Sequence, residues 1–171
     1  MGNGCCLMVT WVADPDRSLN IYPCYGGLQA NTTGGAPMAV TPAAAPLNMW
    51  NGILPYPPSL PTNLTVNLPL NRLEILYDGI YDINAHVSWS GTINSAYTFD
   101  IYNLGVPSGS RATDAISAVA VPHVTALHSL MRLVAGDILT LEVSSATGVI
   151  ITVTDAEFTA KRRATGLELA P

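Results

Sequence analysis

Between Tyr81 and Ser90 the chain alternates without a break. Tyr81, Ile83, Ala85, Val87 and Trp89 fall on one side, and Asp82, Asn84, His86, Ser88 and Ser90 on the other. Successive side chains of a strand point to opposite faces, whereas a helix would scatter these residues around its circumference. The segment is therefore predicted to be a strand with one face in a core and one face polar. Asp78-Gly79 before it and Gly91 after it supply turn chemistry at both ends.

The same period returns along residues 62–163. Leu64, Val66, Leu68 and Leu70 alternate with polar residues, followed by Leu73, Ile75 and Tyr77; Tyr97, Phe99 and Ile101 share one face of a strand over 96–103. A loop is expected over 105–109, around Pro107. Two strands are expected over 116–125 and 126–133, parted near Pro122-His123, and Ala135-Gly136-Asp137 reads as a tight turn. Leu139, Leu141 and Val143 alternate again, then Val149, Ile151 and Val153; beyond Asp155 come Ala156, Phe158 and Ala160. Seven or eight short, evenly spaced strands without an amphipathic helix predict an all-β fold, an antiparallel jelly-roll sandwich. Tyr81, Ile83, Val87, Trp89, Phe99, Leu141 and Phe158 are its expected core.

The first third of the chain has another texture. Ten of the thirteen prolines fall in residues 1–70, most densely over 34–61. Such a segment forms no helix and runs extended. Free linkers are polar and charged, yet this one carries Trp50, Ile53, Leu54 and Tyr56 among other apolar residues. Residues 1–61 are accordingly expected to be an extended proline-rich N-terminal arm lying on another protein, with Trp50, Ile53, Leu54 and Tyr56 as anchors. Residues 62–163 would be the jelly roll and 164–171 a C-terminal tail. Within the arm, residues 7–30 are expected to form a small hairpin or to add strands to a neighbour.

Charged residues make up only 11% of the chain, against about 25% in an ordinary soluble domain. Hydroxyl- and amide-rich faces, or permanent contacts with other subunits, must cover the remaining surface. The net charge of −5 and a single basic cluster, Lys161-Arg162-Arg163, argue against nucleic acid as a partner. The longest apolar run is about eight residues, far below the roughly 20 that span a bilayer, so no membrane partner is expected. No basic-then-apolar leader opens the chain, and Asn31-Thr32-Thr33 and Asn63-Leu64-Thr65 read as plain polar loops rather than glycosylation sites. Met1-Gly2-Asn3-Gly4-Cys5-Cys6 resembles a dual-acylation start, but Cys6 stands where that pattern wants Ser or Thr. Cys5, Cys6 and Cys24 are odd in number and confined to one end, which suits small buried thiols in a reducing cytosol.

Side chains with reactive potential do not assemble into a motif. His86 lies on the polar side of its strand. His123 and His128 are five apart, so a regular strand turns them to opposite faces and away from a shared metal. Asp78 and Asp82 would share a face, but Gly79 places Asp78 in a turn. Ser108, Ser110, Ser144 and Ser145 lack an ordered His and acid partner. Gly26-Gly27 and Gly34-Gly35 do not sit between a strand and a helix, as a phosphate loop requires. The expectation is a protein that is not an enzyme and carries no cofactor or metal.

Gly79-Ile80-Tyr81 opening a strand, followed by Ser88-Trp89-Ser90-Gly91, resembles the start of the trimeric jelly roll of tumour necrosis factor and complement globular heads. Ala135-Gly136-Asp137 with Leu139-Thr140-Leu141-Glu142-Val143 is similar to that family's glycine-aspartate turn and next strand. Ala156-Glu157-Phe158-Thr159-Ala160-Lys161-Arg162 is similar to its closing strand. The resemblance spans about residues 72–163, and it looks most like the versions found on tailed-bacteriophage particles as head decoration, cement or fibre proteins. It implies a homotrimer, with the core strands also building the trimer. It further implies a capsid-surface virion protein made in the host cytoplasm, with the major capsid protein or another virion subunit as partner. The alternative it leaves is a receptor-binding head or tail fibre module holding host glycan. The family brings no catalytic residues to carry over.

Overall fold

The alternating segment forms the strand its pattern predicts, near the middle of a sandwich. The computed structural model describes residues 24–40, 46–50, 55, 61, 63–117, 121–146 and 149–164. Through them run β1 (Tyr25–Ala39), β2 (Leu47–Asn48), β3 (Leu64–Asn67), β4 (Arg72–Ile75) and β5 (Gly79–Gly91). Then come β6 (Ser95–Asn103), β7 (Val106–Ile116), β8 (His123–Leu133), β9 (Ile138–Ser145) and β10 (Ile150–Ala164). One 3-10 turn, Leu68–Leu70, precedes β4. The strands make two antiparallel sheets, ordered β1-β10-β5-β8 and β3-β4-β9-β6-β7, and β2 pairs with β9 beyond the end of β4. This is a jelly-roll sandwich.

The apolar side of β5 builds the core. Tyr81, Ile83, Val87 and Trp89 join Phe99 of β6, Leu141 of β9 and Phe158 of β10 in one buried cluster. Each such side chain contributes about 1.5–3 kcal/mol on leaving water. Trp89 packs at ring-centroid distances of 4.7 Å from Tyr97 and 5.5 Å from Phe99, in tilted arrangements. Its indole Nε1 donates to Thr125 Oγ1 at 2.9 Å, so the buried N–H is satisfied. The Tyr97 hydroxyl crosses between the sheets, donating to the Ile150 carbonyl at 2.6 Å and accepting from Thr92 N at 2.7 Å. Gly91 is what lets that ring in: a Cβ there would stand 2.6 Å from the Tyr97 oxygen.

Much of the supposed arm belongs to the sandwich. β1 pairs with β10 from Tyr25↔Lys161 to Ala39↔Ile150, with an irregularity between Asn31 and Ala36, and Leu28 and Met38 point into the core. Pro37 is tolerated because β1 is an edge strand with no ladder on its far side. Gly26 and Gly27 mark close backbone approach: a Cβ on Gly27 would lie 2.7 Å from Thr159 Cγ2 and 2.8 Å from the Phe158 carbonyl oxygen. Met49 and Trp50 are fully buried in the same core, and Met49 N donates to the Leu141 carbonyl at 2.9 Å. The expected boundary at residue 62 is thus corrected, because residues 24–40 and 46–50 fold with the jelly roll. Trp50 is corrected as well: it anchors its own chain's core and has no surface left for a partner. Ile53, Leu54 and Tyr56 lie outside the described residues, as do 1–23 and 165–171. Of the cysteines, Cys24 is a buried thiol.

Three further boundaries moved. The expected loop over 105–109 is a two-residue turn, Leu104-Gly105, with φ of 51° and 76° at its two residues and Asn103↔Val106 pairing around it. Both values suit a tight hairpin turn whose twist matches its strands. β7 starts at once after it, and β8 runs from His123 to Leu133 as one strand. The two alternating pieces read on either side of Asp155 are one strand, β10, whose register shifts between Val153 and Asp155. A bulge adds one residue and so inverts the phase of the alternation.

Candidate functional site

Register fixes which polar residues share the outer face of the β1-β10-β5-β8 sheet. Cross-strand partners point the same way, so the face is a grid of rows. One row is Tyr25, Lys161, Asp82 and Leu130; the next is Gly27, Thr159, Asn84 and His128; the next is Gln29, Glu157, His86 and Ala126. Asn84, His86, His128, Glu157 and Thr159 line a shallow depression of about 480 Å³ floored by Ala85, Ala126 and Leu127. Gly27 and Ala126 are small at opposite ends of these rows, which keeps the face low.

Asp82 is the fixed point of this face. Its Oδ1 lies 2.8 Å from His128 Nε2 and accepts from Asn84 Nδ2 at 3.2 Å; its Oδ2 accepts from Arg163 Nε at 2.9 Å and from Arg163 Nη2. Hydrogen bonds from Arg163, then His128, the Arg163 charge and Asn84 hold its carboxyl below the usual carboxylate range, against the opposing effect of burial. Both oxygens are occupied by donors from its own chain, so Asp82 organises the surface and is not a free base. His86 lies two rows further along the same face, with Nδ1 3.7 Å from Asp155 Oδ2. The basic cluster Lys161-Arg162-Arg163 is partly tied down within the chain: Arg162 Nη2 donates to the Asp78 carbonyl at 2.5 Å, and Arg163 is held by Asp82.

His123 and His128 do face opposite ways. His128 is on the outer face, while His123 turns inward over Trp89 at a centroid distance of 5.0 Å. Its Nδ1 lies 2.9 Å from Asp114 Oδ2, which links the edge strands β8 and β7 of the two sheets. Asp78 is in the turn before β5, as Gly79 suggested, and its Oδ1 accepts from Ala135 N at 2.8 Å.

The other sheet carries a second polar group that sequence reasoning missed. On its outer face Asn48, Glu142, Asp100 and Arg111 form one row across β2, β9, β6 and β7. Arg111 donates to Asp100 Oδ2 from Nε at 2.9 Å and Nη2 at 2.6 Å, and these bonds raise the guanidinium pKa further. Burial pushes the Glu142 carboxyl up, against a Thr140 hydrogen bond. Burial, then the charges of Asp100 and Glu142, push the Tyr102 hydroxyl up. No short-range spacing signals either cluster: Asp82 meets Arg163 across 81 residues. Among the described residues no three His, Cys, Asp or Glu side chains converge as a metal site.

No family model matches the sequence, and no curated protein matches it. Among solved structures, Eiger TNF from S. frugiperda superposes with a TM-score of 0.58 over 84% of this chain and 94% of that one. The fold is that of a TNF-like jelly roll. At 15% sequence identity the likeness is one of fold. In this TNF-like sandwich the predicted core residues Tyr81, Ile83, Val87, Trp89, Phe99, Leu141 and Phe158 are all interior, so none of them is displayed for contact. Among the described residues, this sheet exposes the polar grid around Asp82 and, on β8, the apolar side chains of Val124 and Leu130.

Proposed function

We propose that this chain is a non-enzymatic virion structural protein, a homotrimeric TNF-like jelly roll that decorates and stabilises an assembled phage head. The observation that carries the self-association is the composition of the β8 edge. Val121, Val124, Leu130 and Val134 are four of the ten exposed large apolar side chains among the described residues, and all lie on β8 or flank it. Val124 and Leu130 are 61% and 64% exposed on an edge strand. Burying such a side chain against another copy contributes up to about 1.5–3 kcal/mol. The low charge content and the TNF-like fold support the same reading. A subunit that binds only the assembled shell stabilises that shell by mass action.

Sedimentation of the purified chain tests the assembly. The wild type is expected to be a trimer at micromolar concentration, and Val124→Asp with Leu130→Asp a folded monomer with unchanged β circular dichroism. A monomeric wild type overturns the proposal. Imaging particles labelled on this chain tests the location: many copies over the shell support decoration.

The depression beside Asp82 favours a second reading, a receptor-binding head that holds host glycan through Asn84, His86, Glu157 and Thr159. Few copies at one vertex, with sugar binding lost in Glu157→Gln, would select it.

A further inference from the structure

Asp100 presents an anomaly. Its side chain is 5% exposed, yet Oδ1 has no hydrogen-bond partner among the described residues. A buried carboxylate oxygen without a donor is rare, and an ion or an ordered water is the usual explanation. β6 lies between β7 and β9, and Arg111 of β7 takes Oδ2, which leaves Oδ1 outside that ion pair. On the other side of β6, Glu142 of β9 stands directly opposite Asp100 in register, and cross-strand partners share a face with their Cβ atoms about 5 Å apart.

Other oxygens gather at the same place. Tyr102 follows two residues after Asp100 on the same strand, so it shares the outer face with Asp100. Thr140 is the cross-strand partner of Tyr102 and lies two residues before Glu142 on β9, on the same face. We propose that Asp100 and Glu142 bind a hard divalent cation, calcium by its ligand chemistry, on the outer face of the β3-β4-β9-β6-β7 sheet. Asp100 Oδ1 and the Glu142 carboxylate are the charged ligands, and Thr140 and Tyr102 supply neutral oxygens beside them. An all-oxygen set selects hard cations over zinc or copper. Calcium accepts irregular oxygen shells completed by water, whereas magnesium demands near-octahedral geometry and gives up its water reluctantly. Arg111 offsets one of the two negative charges, but its side chain is 56% exposed and its charge is screened by solvent. The site is thus a weak one, completed by water, and it is independent of whether the chain trimerises.

The full-length chain, stripped with EDTA, is titrated with terbium while aromatic-sensitised terbium emission is followed, and is melted with calcium, magnesium or sodium at equal ionic strength. Calcium is expected to raise the melting temperature and to displace terbium. Asp100→Asn and Glu142→Gln are each expected to weaken terbium binding at least about tenfold, the scale of losing one charged ligand. Tyr102→Phe, which removes one neutral oxygen and the sensitising phenol, is expected to dim the emission and to shrink the calcium-dependent shift in melting. Asp155→Asn, on the opposite sheet, is expected to keep the wild-type emission and the wild-type calcium response in melting. Should Asp100→Asn fail to fold, Glu142→Gln alone carries the test, since Glu142 holds no arginine. Wild-type protein with no sensitised emission and the same melting in calcium and EDTA overturns the site, leaving Asp100 Oδ1 to water. Emission unchanged in both carboxylate variants overturns it equally.

Discussion

Trp50→Ala is expected to destabilise the sandwich rather than loosen its hold on a partner. Trp50 is fully buried among the core side chains, and its backbone N–H is fixed by Asn48 Oδ1 at 3.0 Å. Truncating a buried Trp to Ala typically costs about 3–5 kcal/mol in lost burial and residual cavity. One effect opposes this. The indole Nε1 is buried without a partner among the described residues, so deleting it returns about 1–3 kcal/mol of desolvation penalty. The net loss is then about 2 kcal/mol, and at about 2–4 °C per kcal/mol for a chain of this size the melting temperature falls by about 4–8 °C. Trp50→Phe keeps most of the ring and removes the orphan N–H, so it is expected to stay within about 1 kcal/mol of wild type. Thermal melts by circular dichroism, backed by urea midpoints, provide the measurement. Protein concentration must be held fixed, because self-association makes the melting temperature concentration-dependent. If Trp50→Ala melts with the wild type but no longer attaches to particles, Trp50 is an anchor after all and its core assignment fails.

Asp82→Asn is expected to lower the urea midpoint near neutral pH, and the gap from wild type should close in acid. The folded carboxyl is held below its ordinary range, chiefly by Arg163. Its contribution is therefore fully present above the unfolded carboxylate range and lost as pH falls through the folded value; a gap that stays constant with pH would refute this. Gly91→Ala is expected to cost about 1–3 kcal/mol by overpacking. The new methyl would meet a Tyr97 ring end pinned by Ile150 and Thr92, so it has little room to yield. Wild-type melting in Gly91→Ala would show that Tyr97 is not held in place.

The parts of the fold legible in the sequence are those where one strand meets the core on one side only. β5 is the clearest case, with every second residue buried from Tyr81 to Trp89. β9 and the Tyr97–Ile101 stretch of β6 follow the same rule. Edge strands did not announce themselves. β7 is exposed almost to its end, so no apolar face marks it, and β1 carries Gly26, Gly27 and Pro37 where a reader of patterns expects a loop. Trp50 was misread for a related reason: the prolines around it suggested an arm, while its segment is tied to Leu141 and Asn71, farther along the chain.

Sequence by itself determined the fold class, the two-faced strand at its centre, the tight Ala135-Gly136-Asp137 turn and most of the core, because period-two burial and turn chemistry are local properties. Only the tertiary structure decided that β1 closes onto β10, that Asp82 gathers His128 and Arg163, and that Asp100 faces Glu142. Those meetings depend on strand order and register, which bring together residues tens of positions apart. A one-residue slip in either sheet would turn the same side chains to the opposite face, so no local pattern can encode them.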